Sequence, residues 1–263
     1  VKKYLFMTRN SLMASMAYRT HYLFMLLGNI AYVVIVWFLW KAIYGDASSL
    51  NGMSFDSAFV YLSLAMSVFI LMQCWTEWFM SNTIITGNIV INFIRPMDYQ
   101  VQLFFDQFGF MVSNIITTLV PTWLVLVFVF GIPIPFGANV LLFALGLVLA
   151  FAISFCVDYL VGMLGFYTES IWGISMTKEV IVLLLSGALI PFAFFPEGIK
   201  AVLVWLPFQA IYNLPLRLLL EPGMGAGEAL SIFGTQAAWV VALVLASRLA
   251  FSRTAKVLTV NGG

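Results

Sequence analysis

The sequence predicts an all-α integral membrane protein with six transmembrane helices, and three observations predict it. Of 263 residues, 63% are hydrophobic and only 9% charged, with a mean hydropathy of +1.04. Soluble domains carry roughly 25% charged and about 45–50% apolar residues. The apolar residues gather in runs that fit a membrane helix, which needs about 20 residues to cross a hydrocarbon core of roughly 30 Å. Lysine and arginine then concentrate on one side of the layer that those runs define. No soluble domain, repeat or low-complexity linker interrupts the pattern, so residues 1–263 read as a single membrane domain.

The first span runs from Tyr22 to Trp40 and the second from Ser57 to Trp75. From Gln107 to Val157 no charged residue occurs. That run is too long for one helix, and GIPIPFG at 131–137 divides it into two spans around a tight turn. A fifth span covers Trp172 to Phe195 and a sixth Ala229 to Ser247. The segment AVLVWLPFQAIYNLPL, 201–216, is ambiguous. As a helix it would reach only about 24 Å, and Pro207 and Pro215 interrupt it.

Charge placement decides that segment. With six spans and both termini in the cytoplasm, the inner side holds Lys2, Lys3, Arg9, Arg19, Arg95, Lys178, Arg248, Arg253 and Lys256. The outer side holds Lys41, Lys200 and Arg217. A seventh span would move Arg248, Arg253 and Lys256 outside and nearly erase the asymmetry. Residues 191–220 therefore read as a re-entrant or interfacial hairpin at the outer face, residues 1–20 as a cytoplasmic N-terminal segment, and 251–263 as a cytoplasmic tail. Glu77, Asp106, Asp158, Glu169 and the Lys178–Glu179 pair fall near inner ends of spans. They read as boundary charges, Lys178 reaching for the interface, with a transport-path role as the alternative.

Between spans two and three lies TGNIVINFIRPMDYQ, 86–100, too polar to cross and too patterned for a plain loop. On a helix Ile89, Val90, Phe93, Ile94 and Met97 share one side, and Asn88, Asn92 and Arg95 the other. Gly87 stands at the start and Pro96 limits the far end. Two readings stay open on pattern alone. The helix rests its apolar side on lipid, or it docks into an apolar groove of a cytoplasmic partner.

The order of these elements resembles the permease subunit of a bacterial type-2 ATP-binding-cassette (ABC) transporter. Three stretches carry the likeness. GNIVINFIRPMD at 87–98 is similar to the family's Gly-x-Ile...Leu-x-Arg-Pro-Leu segment, with Phe93 and Met97 in place of the leucines. SGALIPFAFFPEGIKAVLVWLPFQAIYNLP at 186–215 resembles its Ser-Gly-x-x-x-Pro...Phe-Phe-Pro...Leu-Pro-Phe...Pro pattern. KVLTVNGG at 256–263 resembles its Val-Gln-Gly-Gly ending, with Asn261 for glutamine. The resemblance implies a cytoplasmic coupling helix at 86–100, where an ATPase subunit docks through Asn88, Ile89, Phe93, Ile94, Arg95 and Pro96. It implies an exporter permease in the bacterial inner membrane, paired with a second, identical or homologous permease. ATP and magnesium would be bound by the partner ATPase, with no cofactor in this chain. Residues 1–20 resemble the family's inner-surface elbow helix, although their apolar residues spread around most of the wheel.

The aromatic and proline-rich outer hairpin reads as a gate built on Pro191, Phe192, Phe195, Pro196, Pro207 and Phe208, with Phe194, Trp205, Tyr212 and Pro215 beside them, since broken backbone at membrane depth must be buried in protein or line a cavity. It would yield to an amphipathic or lipidic cargo; the plainer alternative is aromatic anchoring at the headgroup level. Arg217 and Glu221, four apart, are spaced to pair on a helix face.

Other chemistry lacks residues to carry it. There is no Gly-x-x-x-x-Gly-Lys-Ser/Thr phosphate loop, so ATP hydrolysis is expected from another chain. No Gly-x-Ser-x-Gly elbow or His-Glu-x-x-His pair is present. The single histidine, His21, has no Cys, Asp or Glu neighbours in sequence and reads as an interfacial anchor. Cys74 and Cys156 sit inside apolar stretches, which suggests neither a disulfide framework nor a metal site. The N-terminus shows no cleavage site of a signal peptide. The net charge of +1 gives no reason to expect nucleic acid as a partner. A secondary transporter or channel would call for carboxylates or broken helices deep in the spans, where only Asn114, Pro121 and Ser154 disturb the apolar pattern. A non-transporting scaffold that anchors a soluble partner through 86–100 is the third reading.

Overall fold

A computed structural model describes residues 2–17, 19–73, 75–131, 137–221 and 223–254. Cys74, most of the 131–137 turn and the KVLTVNGG ending lie outside the described residues. The chain is helical almost throughout. In order come α1 (Lys2–Met16), α2 (Arg19–Tyr44), α3 (Phe55–Met72), α4 (Thr76–Ile85), α5 (Ile89–Ile94), α6 (Tyr99–Asn114), α7 (Val120–Phe128), α8 (Ala138–Gly162), α9 (Trp172–Leu185), α10 (Glu197–Leu203), α11 (Asn213–Leu220) and α12 (Ala226–Thr254). A two-stranded hairpin, Ser49–Leu50 with Met53–Ser54, links α2 to α3. Its turn residues Asn51 and Gly52 both have positive φ, the backbone that a two-residue hairpin turn asks for.

Among the described residues, five helical stretches are long and apolar enough to cross a membrane: Thr20–Tyr44, Phe55–Ile85, Tyr99–Phe128, Ala138–Phe166 and Ala226–Thr254. Expected boundaries change at three spans. The second span does not end at Trp75: it breaks there, with Gln73 extended and Trp75 left-handed, and resumes as α4 to Ile85. The third begins at Tyr99, capped by the Asp98 carboxylate, which accepts from the Val101 N–H at 2.9 Å. A wide π turn at Ile115–Leu119 precedes Pro121, whose missing N–H disturbs the regular ladder. The expected fifth span, Trp172–Phe195, is helical only to Leu185, because Gly187 turns left-handed (φ +83°) and Pro191 follows. A side chain at Gly187 would meet the Phe192 ring at 2.6 Å.

Helix α8 is the centre of the bundle, with Phe143, Phe151, Phe155 and Tyr159 almost fully buried. Helices α4, α11 and α12 pack around it. Small residues set the close crossings, as packing in lipid favours. A Cβ at Gly162 would sit 3.0 Å from the Glu77 Cα, and one at Gly165 2.8 Å from the Ser81 Oγ. Gly109 of α6 meets α1 in the same way, 2.5 Å from the Thr8 carbonyl. That contact explains the blurred wheel of residues 1–20. The face of α1 turned to α6 buries Ser11 and Ser15 and bonds Thr8 to the Phe105 carbonyl, while Leu5, Phe6 and Met13 point outward. Polar groups also bind spans together: Asn29 of α2 donates to Ser67 of α3 and Thr122 of α7 at 3.2 and 3.0 Å.

Candidate functional site

The segment between the second and third expected spans forms a helix shorter than its pattern suggests. Only Ile89–Ile94 is helical, since Gly87 (φ +74°) sets the entry turn and Arg95 is already extended before Pro96. Met97 falls outside it, and the expected two-sided wheel does not form. Ile89 is completely buried and seats the helix, whereas Ile91 and Ile94 are 53% and 77% exposed. Asn88, Arg95 and Pro96 are exposed beside them. The Phe93 side chain lies outside the described residues.

This small platform is tied to three other elements at one end of the bundle. Lys3 of α1 donates to the Pro96 carbonyl at 2.8 Å, and the Asp98 N–H donates to the Tyr4 hydroxyl at 3.3 Å. Arg248 near the end of α12 pairs with Asp98, Gln100 donates to Ser247 at 2.6 Å, and Tyr99 stacks on Phe251. Burial works against the Asp98 charge, but the Arg248 guanidinium and the Val101 N–H outweigh it and hold the carboxyl below its ordinary value. Lys2, Lys3, Arg9, Arg95 and Arg253 therefore share an end with α5.

At the opposite end, a cavity of about 900 Å³ opens between the start of α3, the loop before α10 and helix α11. Of the expected gate residues, Pro191 and Phe192 line it; Phe195, Pro196, Pro207 and Phe208 do not. The rings are nonetheless linked, Phe192 to Phe195 and Phe194 to Trp40 of α2. Tyr212 and Pro215 are buried, and α11 packs its leucines against α8. Gln236 of α12 fastens this region by donating to the Gly146 and Ala210 carbonyls at 3.0 and 2.9 Å. Arg217 pairs with Glu221 at 2.6 Å as its spacing suggests, and also with Glu228 at 2.6 Å.

The third feature is not legible as a cluster in the sequence. Lys178 does not reach for an interface. Its ammonium sits between Glu77 of α4 at 2.9 Å and Asp158 of α8 at 2.7 Å, and both carboxylates are buried. Ser175 donates to the same Glu77 Oε1 at 2.7 Å, and Gln73 at the helix break donates to Glu179 at 3.4 Å. Glu77 is no boundary charge, because α4 carries on for eight residues past it, about 12 Å of helix. Lys178 stands six residues into α9, about 9 Å from its start. Asp106 likewise lies inside α6, bonded to Ser11 of α1. The individual charges are visible in the sequence; their meeting is not, since it depends on Gly162 letting α4 lie against α8.

With this geometry in view, a comparison with protein families is decisive. A family described as ABC-2 family transporter protein matches residues 30–262. The chain belongs to the ABC-2 transporter family. It is an ABC type-2 permease and a multi-pass membrane protein. A comparison with curated proteins returns no match. The matched region of the permease runs from within α2 through the whole bundle, so it takes in α5, the opposite-end cavity and the buried cluster. Permeases of this family are generally not enzymes themselves, ATP hydrolysis belonging to a partner subunit.

Proposed function

We propose that this chain is the membrane-spanning subunit of an ATP-driven exporter, that it forms the cargo path as a dimer, and that it takes its motion from a separate ABC ATPase docked on residues 88–96. The observation that carries this reading is the exposed tip of α5. Apolar Ile91 and Ile94 stand in the open beside Arg95 and Pro96, on a helix anchored from below by Ile89. An exposed apolar patch on an anchored support is what a partner groove takes. Ile89 then acts as the anchor rather than as a contact.

In this reading the α5 end, with its cluster of lysines and arginines, faces the cytoplasm of a bacterial inner membrane, as the positive-inside rule favours. Helix α9 and the chain that follows make up the fifth crossing and α12 the sixth, residues 191–220 returning from the outer face between them. The 900 Å³ cavity beside Pro191 and Phe192 is the outer vestibule for an amphipathic or lipidic cargo. ATP-driven closure of the partner displaces α5, and the spans joined to it, α4 and α6, move as packed bodies.

A second reading has a specific observation in its favour. The broken helix at Gln73–Trp75 and the buried carboxylates beside it are features of ion-coupled transport without ATP. One experiment separates the two. Vanadate-sensitive ATP hydrolysis is measured for an ABC ATPase encoded beside the permease, reconstituted with wild type, Ile94→Asp or Arg95→Glu. Loss of complex formation and of permease-stimulated turnover, with normal membrane insertion, supports the exporter. An ATPase that neither binds wild type nor responds to it overturns the docking assignment and leaves the ATP-independent reading.

A further inference from the structure

The cluster around Lys178 has a property that docking at α5 does not use. Two buried carboxylates, Glu77 and Asp158, share one ammonium, so the three groups carry a net negative charge when both acids are ionised. The Glu77 side chain is only 6% exposed. Its Oε1 accepts from both Ser175 and Lys178, but its Oε2 is buried and without a hydrogen-bond partner. Beside it lies a cavity of about 50 Å³, lined also by Gln73, Trp75, Asp158, Lys178 and Glu179. That exceeds the roughly 10–15 Å³ that a cavity needs to hold a water molecule. An ionised carboxylate oxygen left bare in such surroundings is strongly disfavoured.

We propose that this cavity is a proton site, in which a proton brought by water forms an O–H bond on the Glu77–Asp158 pair and neutralises the network around Lys178. The O–H bond of the hydrated proton breaks as the carboxyl O–H bond forms, and a water molecule is left behind. The groups facing it are Glu77 from α4, Asp158 from α8, Lys178 and Glu179 from α9, and Tyr212 from the segment before α11. A proton fits better than a metal cation for two reasons. Lys178 Nζ already occupies the point between the two carboxylates. Among the described residues, no group of three or more His, Cys, Asp or Glu side chains is placed to hold a metal ion. The consequence is mechanical. Lys178 is the charged link from α9 to α4 and α8, and a proton on either acid weakens one arm of it, freeing α9 to shift. The inference does not depend on the ATPase assignment, because its readout is a bond within the isolated chain.

The test is infrared spectroscopy of the purified full chain in lipid nanodiscs, titrated from acid to alkaline. Wild type is expected to show the C=O stretch of a protonated carboxyl at neutral pH, and to lose it as the pH rises. Glu77→Gln and Asp158→Asn, which imitate the protonated form, should each lack that band at neutral pH. Asp106→Asn, at a carboxylate outside the cluster, should keep it. The proposal falls if wild type shows no such band at neutral pH, or if both neutral variants retain it. It also falls if the band follows sodium at fixed pH rather than pH itself, which would make this a sodium site. If neither neutral variant folds, the network needs both charges, and that too overturns it.

Discussion

The platform at α5 and the cluster at Lys178 invert the usual membrane arrangement in opposite senses. At α5, isoleucines face outward at the basic end of the bundle; at Lys178, charges face inward among apolar helices. The first is made by six consecutive residues, and its exposed groups touch little of the fold. The second is assembled from positions 77, 158 and 178 on three helices, and every member depends on the others. Substitutions at the platform should therefore change what the protein binds. Substitutions at the cluster should change whether and how it holds together.

The largest expected effect tests the cluster. Lys178→Met leaves two buried carboxylates without their cation, a loss of the kind that costs about 3–5 kcal/mol. Thermal unfolding in detergent should show it, and the deficit should shrink as the pH falls and protons replace the ammonium. Adding Glu77→Gln and Asp158→Asn to Lys178→Met should restore most of the stability, since removing a whole ion network is far cheaper than breaking it. A triple variant no more stable than the single one would mean that Lys178 matters for packing rather than charge.

The platform supplies the next contrast, two isoleucines five residues apart on one short helix. Ile89→Ala empties a fully buried position and should cost about 2–5 kcal/mol. Ile94→Ala removes an exposed side chain and should stay within about 0.5 kcal/mol. Equal losses would show that Ile94 is covered within the permease itself, and would remove the exposed patch on which the docking proposal stands.

These two regions also show what can be read from sequence. The membrane class and the apolar runs depend on local composition and are legible residue by residue; the turn chemistry at Gly187 and Pro191 is equally local, but the apolar run to Phe195 hides it. The position of the segment at 86–100 is legible from local composition too. Its register is not: an unbroken wheel puts Ile89 and Ile94 on one side, but a six-residue helix closed by Gly87 and Arg95 separates them. The cluster cannot be read at all as a unit, because its charges stand near apparent span ends and nothing local reveals that α4 continues past Glu77. A polar, apparently non-amphipathic segment after an apolar run, TEWFMSNTII, is the available signal. In a bundle whose outside is lipid, small and polar residues mark the packed face, as Ser11 and Ser15 do on α1.

A smaller effect tests how α4 is brought to α8. Gly165→Leu would press a side chain into Ser81 and should cost about 1–3 kcal/mol, loosening the cluster with it. At Gly173, in α9, an added methyl group would meet nothing within 4 Å, so Gly173→Ala should be neutral or stabilising by about 0.5–1 kcal/mol. If both substitutions behave alike, the close crossing is not what holds Glu77 beside Asp158.

The smallest expected effect lies between the two regions, where Asp98 caps α6 beside the platform and pairs with Arg248. The folded state holds the Asp98 carboxyl below its ordinary value, so its contribution is fully present above about pH 3.9, the unfolded reference. It is lost as the pH falls through the lower folded value. Both side chains are more than a third exposed, so solvent and salt screen the pair. Arg248→Ala should then cost about 0.2–1 kcal/mol at neutral pH and low salt. The difference from wild type should narrow in high salt and vanish in strong acid, where Asp98 is protonated in both. Asp98→Asn keeps a capping side chain but not the charge, and should reproduce the same small deficit. A deficit that survives both salt and acid would place the role of Arg248 in packing α12 against Tyr99 and Phe251, and the platform would then be held by apolar contact, as the cluster is held by charge.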